Sequence, residues 1–163
     1  MRVLGVDPGT HRTGIGILEA DGQKYKVIHF ETLRANSKDP IAARLLTIFE
    51  ALQAVIEKFG PSVMALETLF FAKDIQAVER IGEARACAML AASKQGIDVI
   101  EYAPTAVKKS VTGNGRAAKE QIQFMVTRLL GLKKSPAPDA ADALAIAMCH
   151  LHNAKRKIPC TIT

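Results

Sequence analysis

The apolar positions of the chain fall into blocks whose spacing changes along its length. Arg2 to Val6, Gly14 to Ala20 and Tyr25 to Thr32 are three short, largely apolar runs. The connection Asp21-Gly22-Gln23 carries the Asp-Gly pair of a tight hairpin turn, so an antiparallel meander of three strands is predicted. From Pro40 to Phe59 the period changes: Ile41, Leu45, Ile48, Leu52, Val55, Ile56 and Phe59 recur at helical spacing until Gly60-Pro61 stops them. Ser62 to Leu66 is a fourth strand. Ala72 to Gln95 is a second helix, crowded with small residues and closed by Gly96 before a fifth strand, Ile97 to Tyr102. Such a small-residue face allows close approach, either to the sheet or to a second subunit.

Ala103 to Val111 reads as a short helix, 112–115 as a loop, and Ala117 to Leu130 as a helix ended by Gly131. A last helix starts near Pro138-Asp139 and runs to about Asn153. The order predicts an α/β fold, a mixed five-stranded sheet with three antiparallel strands followed by two parallel ones, flanked by helices. A chain of 163 residues suffices for one domain with its own core, here residues 1–154, and the basic stretch 155–163 is expected to be a flexible tail. Neither a signal-peptide pattern nor a membrane-length apolar stretch is evident, which points to a cytoplasmic protein.

Charge changes this picture in one place. Seven basic residues (Lys108, Lys109, Arg116, Lys119, Arg128, Lys133, Lys134) stand against the single acid Glu120 between positions 108 and 134, so that segment accounts for the whole net charge of +6. A local basic excess suits a surface that faces a polyanion, although a solvated charged face has the same composition. The 3 cysteines have no CxxC spacing, so neither a disulfide framework nor a zinc site is indicated. His150 and His152, two apart on a helix, do not share a face.

The acids carry the candidate chemistry. The first strand ends on Asp7 and the fourth on Glu67, although carboxylates are depleted in strands and costly to bury unpaired. Pro8 keeps Asp7 out of helical geometry and Gly9 turns the chain away from it. Taken singly, each acid reads as a solvent-exposed strand end. Asp139 and Asp142, three apart on the last helix, can aim at one point, or can serve as a helix cap and a first-turn acid. Together the four would repel one another unless cations compensate, and two divalent ions would balance their charge. An all-oxygen donor set selects Mg²⁺ or Mn²⁺ over zinc. Two such ions, roughly 3.5–4 Å apart, can clamp the attacking and leaving oxygens of a phosphodiester.

Four segments, GVDPGTHRTGIG from Gly5, ALETLFFAKD from Ala65, VKKSVTGNGRAAKEQIQ from Val107 and PDAADALAIAMCH from Pro138, resemble in order and spacing the RuvC family of Holliday-junction resolvases. The resemblance spans essentially the whole chain. It implies an RNase H-like fold, a homodimer, and a Mg²⁺-dependent endonuclease that nicks two strands of a four-way DNA junction symmetrically, leaving 5′-phosphate and 3′-hydroxyl ends. By the same resemblance Asp7, Glu67, Asp139 and Asp142 are the metal-binding catalytic carboxylates. Lys108 and Lys119 match positions that contact the DNA backbone, with Arg116 in the same glycine-flanked segment. A branch-migration motor is the implied partner.

Phe70 and Phe71 are conspicuous in a chain with 6 phenylalanines and no tryptophan. Phe70 resembles a family aromatic that stacks on bases at the junction, with core or dimer-interface packing as a close alternative. Two other classes compete with the nuclease. An actin-like sugar kinase or ATPase fragment shares the opening strand, acid and Gly-Thr turn, but would need a second domain and phosphate loop. A non-catalytic junction-binding module would be expected to lack one of the four acids.

Overall fold

The computed structural model describes residues 1–21, 24–68 and 75–156. Five strands, β1 (Arg2–Asp7), β2 (Arg12–Asp21), β3 (Lys24–Arg34), β4 (Val63–Glu67) and β5 (Asp98–Tyr102), form one sheet in the order β3-β2-β1-β4-β5. The β1–β2 and β2–β3 pairs are antiparallel, and β1–β4 and β4–β5 are parallel, as the hydrophobic blocks predict. Asp21 pairs with Lys24 at the end of the β2–β3 ladder, and the two turn residues between them lie outside the described residues.

Strand alternation sorts the core into two layers. Leu4, Val6, Ile15, Ile17, Met64 and Leu66 pack on one face of the sheet. There they meet Ile48, Leu52, Val55 and Ile56 of α1 (Ile41–Phe59) and Ala88, Ala91 and Ala92 of α2 (Ile75–Lys94). Val3, Leu18, Val63 and Ala65 face the other way. They pack with α3 (Pro104–Thr112), α4 (Lys119–Leu129) and α5 (Pro138–Arg156). The small-residue helix α2 thus uses Ala84, Ala88, Ala91 and Ala92 toward the core. Met89 and Leu90 lie away from that face and are exposed, as is Ile81 nearer the start of the helix.

Helix α5 is buried on nearly every side from Ala143 to Leu151, enclosed between the sheet and the α3–α4 layer. Glycines in the strands beneath it permit the close approach. A Cβ added to Gly5 would lie 2.0 Å from the Ala143 carbonyl oxygen, and one added to Gly14 would lie 1.9 Å from that of Asp139. Residues 157–163 of the expected tail lie outside the described residues, and α5 continues to Arg156. Among the described residues no helix is long and apolar enough to cross a membrane.

Candidate active site

The faces sorted by strand alternation bring the acids together. Val3, Gly5 and Asp7 project to the α5 side of β1, as Val63, Ala65 and Glu67 do on β4. The parallel register ends on the pair Val6 and Leu66, so Asp7 and Glu67 are the next residues of adjacent strands at the carboxyl end of the sheet. Open α/β sheets bind ligands at that end. Asp7 pairs with Gly14 across β1–β2, and Gly14 abuts the backbone of Asp139. Close packing at this glycine therefore seats the start of α5 beside Asp7. Asp139 occupies the first turn of that helix, where the positive end of the helix favours an acid.

Thr13, missed in the sequence because a buried threonine in a strand looks unremarkable, holds the turn after Asp7. Its fully buried hydroxyl donates to the Gly9 carbonyl at 2.9 Å and accepts from the Gly9 N–H at 3.3 Å. The chain is thereby fixed where it leaves the carboxylate.

Asp7, Glu67 and Asp142 line one cavity of about 230 Å³, together with Lys108, Lys119 and the apolar Val107, Ile122 and Ile146. Burial is the main influence on each of these three acids. It raises Asp7 from 3.8 to about 7, aided by Asp142, Glu67 and Asp139 and opposed by Lys119. Glu67 is raised by burial and then by Asp142, with Lys108 and Lys119 acting against the shift. Burial also raises Asp142, while its pairing with Lys119 lowers it. Lys119 in turn is raised, chiefly by Asp142, whose Oδ2 lies 3.4 Å from its Nζ. Asp139 does not line the cavity, yet its charge reaches Asp7, Asp142 and Lys119.

This donor set would fit hard divalent cations in chemistry and charge: the available donors are carboxylate oxygens, and neighbouring acids raise one another's pKa. Among the described residues no three His, Cys, Asp or Glu side chains close into a finished ligand cluster.

The basic segment divides. Lys108, in α3, and Lys119, the first residue of α4, reach the cavity. Arg116 is exposed on the loop between those helices. That loop is shaped by its own polar groups: the Asn114 N–H donates to Thr112 Oγ1 at 3.1 Å and the Arg116 N–H to Asn114 Oδ1 at 3.0 Å. Phe70 lies outside the described residues. His150 is engaged by Tyr102, whose hydroxyl is 2.9 Å from its Nδ1, and His152 packs against Tyr25.

Arg85 on α2 also escaped the sequence reading. Its guanidinium donates to the Glu67 carbonyl and pairs with Glu101 of β5. A lone arginine among alanines, Glu83-Ala84-Arg85-Ala86, was the available signal.

Comparison with known proteins identifies the family and the fold. The family described as crossover junction endodeoxyribonuclease RuvC matches residues 3–150. Crossover junction endodeoxyribonucleases RuvC of Magnetococcus marinus and Desulforamulus reducens are similar to the chain. The first is 43% identical over 93% of this chain and 84% of that protein, and the second 46% identical over 92% and 93%. Among solved structures, a T. thermophilus RuvC in complex with Holliday junction substrate superposes with a TM-score of 0.89 at 35% identity, covering 96% of each chain. A yeast mitochondrial Holliday junction resolvase shares the fold, with a TM-score of 0.67 at 15% identity over 95% of this chain and 80% of its own.

Proposed function

The chain belongs to the RuvC family of crossover junction endodeoxyribonucleases, and on that premise we propose that it resolves four-way DNA junctions in recombination and repair with Asp7, Glu67, Asp139 and Asp142 as its catalytic carboxylates. The observation that carries the site assignment is the shared cavity of Asp7, Glu67 and Asp142, which come from two adjacent parallel strands and a helix folded over them. Acids so distant in sequence have no common structural role that would require their meeting.

Mg²⁺, two ions per site and replaceable by Mn²⁺, is the cofactor this reading requires; when bound it supplies Lewis-acid polarisation of the phosphodiester and lowers the pKa of a bound water. Asp7, Glu67, Asp139 and Asp142 are the residues that would hold it. Lys108 and Lys119 favour the ionised carboxylates and offer positive charge to the scissile phosphate. The apolar wall of Val107, Ile122 and Ile146 limits water around those charges and so strengthens their interactions. Hydrolysis in this arrangement leaves 5′-phosphate and 3′-hydroxyl ends.

Arg116, exposed on the α3–α4 loop, adds a backbone contact, and Phe70 is the aromatic proposed to stack at the junction. A junction has approximate two-fold symmetry, so a homodimer offers one active site to each of two like strands. The exposed Met89 and Leu90 on the outer side of α2 support a subunit contact there. The remaining partner in this reading is a branch-migration motor, and its location is the cytoplasm.

The test is cleavage of a mobile four-way junction and of linear duplex, each with and without Mg²⁺. Paired symmetric nicks confined to the junction and dependent on the ion are expected. Equal cutting of linear duplex, or an intact junction in Mg²⁺, would contradict the proposal.

A further inference from the structure

Arg85 is only 9% exposed, and its two terminal nitrogens are used separately. Nη1 donates to the backbone carbonyl of Glu67, the last residue of β4. Nη2 pairs with Oε1 of Glu101 in β5, a side chain that is 40% exposed. Residues Leu66 and Glu101 are partners in the parallel ladder, and Glu67 pairs next with Tyr102. The Thr68 N–H continues that ladder by donating to the Tyr102 carbonyl at 2.8 Å. The Glu67 carboxylate projects to the α5 side of the sheet, while Arg85 approaches from α2 on the opposite side.

We propose that Arg85, held by Glu101, is a positioning residue that fixes the backbone of Glu67 from behind the sheet and so sets where its carboxylate stands in the active site. A guanidinium is suited to this task because its rigid fork serves two acceptors at once in fixed directions, whereas an ammonium on a flexible stem does not. A buried arginine without such partners would be costly, so its position is specified by both of them. Arg85 meets Glu67 at its backbone carbonyl, so it acts through the peptide backbone.

This inference rests on the reading of Glu67 as a catalytic carboxylate. Its test compares Arg85→Lys, Arg85→Gln and Glu101→Gln with Glu67→Gln in the full chain, measuring thermal stability, junction affinity in Ca²⁺, the single-turnover cleavage rate and its dependence on Mg²⁺ concentration. Removal of a partner that orients a metal ligand typically costs roughly 10–100-fold in metal affinity or activity. The Arg85 variants are expected to cut that much more slowly per folded molecule and to need more Mg²⁺, with junction affinity and the pH dependence of cleavage close to wild type. Glu101→Gln should show the same pattern to a smaller degree. It alters an outer side chain, so it remains informative if both Arg85 variants fail to fold.

A wild-type rate and Mg²⁺ requirement per folded molecule in Glu101→Gln and any folded Arg85 variant, with Glu67→Gln inactive, would overturn the positioning role alone. Full activity in Glu67→Gln would overturn the site assignment beneath it.

Discussion

Lys119 Nζ lies 3.4 Å from Asp142 Oδ2, joining the first residue of α4 to a carboxylate one turn into α5. A lysine at the positive end of a helix is poorly placed with respect to the helix dipole, and the carboxylate offsets that placement. The pair also joins the basic segment of the chain to its acidic cavity. Four predictions follow from this junction of charges and from the packing that surrounds it.

Removing Lys119 should show in two separate readouts. It lowers the pKa of Asp7, Glu67 and Asp142. In Lys119→Ala these acids should therefore ionise at higher pH, moving the acid limb of the cleavage profile to the alkaline side. If the ammonium also contacts a phosphate, the slope of log affinity against log salt should fall by about 1. A pH–rate series and a salt titration of junction binding measure the two effects independently.

Asp7→Asn should retain junction binding and lose cleavage. The amide conserves shape but removes an anionic ligand. The loss should exceed the roughly 100-fold that removal of an outer partner can cost. Gel-shift affinity in Ca²⁺ alongside cleavage in Mg²⁺ separates the two functions, and a wild-type rate would remove Asp7 from the site.

The metal-free protein should become less stable as pH rises from about 4 toward 7. Burial pushes the Asp7 carboxyl from the ordinary 3.8 up to about 7 in the folded state, so between those values the folded state binds more protons than the unfolded one. The slope of unfolding free energy with pH is then negative across that window. Mg²⁺ should reverse the trend, since ion binding requires the deprotonated acid and adds stability to the folded state. Thermal melts from pH 4 to 8 with EDTA or Mg²⁺ check the sign. Asp7→Asn should flatten this contribution.

Gly14→Ala should damage both fold and site. The new methyl would meet the Asp139 carbonyl at 1.9 Å, a backbone atom that cannot turn aside. The start of α5 must move away from β2, at a cost of at least about 1–3 kcal/mol by analogy with overpacked cores. Chemical denaturation gives the stability loss. Cleavage per folded molecule should also fall, because Asp139 and Asp142 travel with the helix.

Much of the architecture was legible in the sequence because hydrophobic period is a local property. The 3.6 period of Ile48, Leu52, Val55 and Ile56 identified a helix, and the short apolar blocks ending on Asp7 and Glu67 identified strands. Boundaries shifted slightly: α4 begins at Lys119 rather than Ala117, which makes Lys119 a helix-end residue facing the cavity. Asp139, open to reading as a cap, lies inside the first turn of α5. The expectation for Phe70 lies outside the described residues.

The sequence by itself singled out the acids proposed to carry the chemistry and, through strand alternation, indicated that Asp7 shares a face with Val3 and Gly5 as Glu67 does with Val63 and Ala65. It could not determine that these faces meet. The tertiary structure decided that β1 lies beside β4, that Gly14 admits the backbone of Asp139, and that Lys119 reaches Asp142. It also assigned Arg85 to the back of Glu67. The physical reason is one of range: dihedral preference and side-chain period act over a few residues and orient each group, whereas which groups meet depends on close packing between segments distant in the chain.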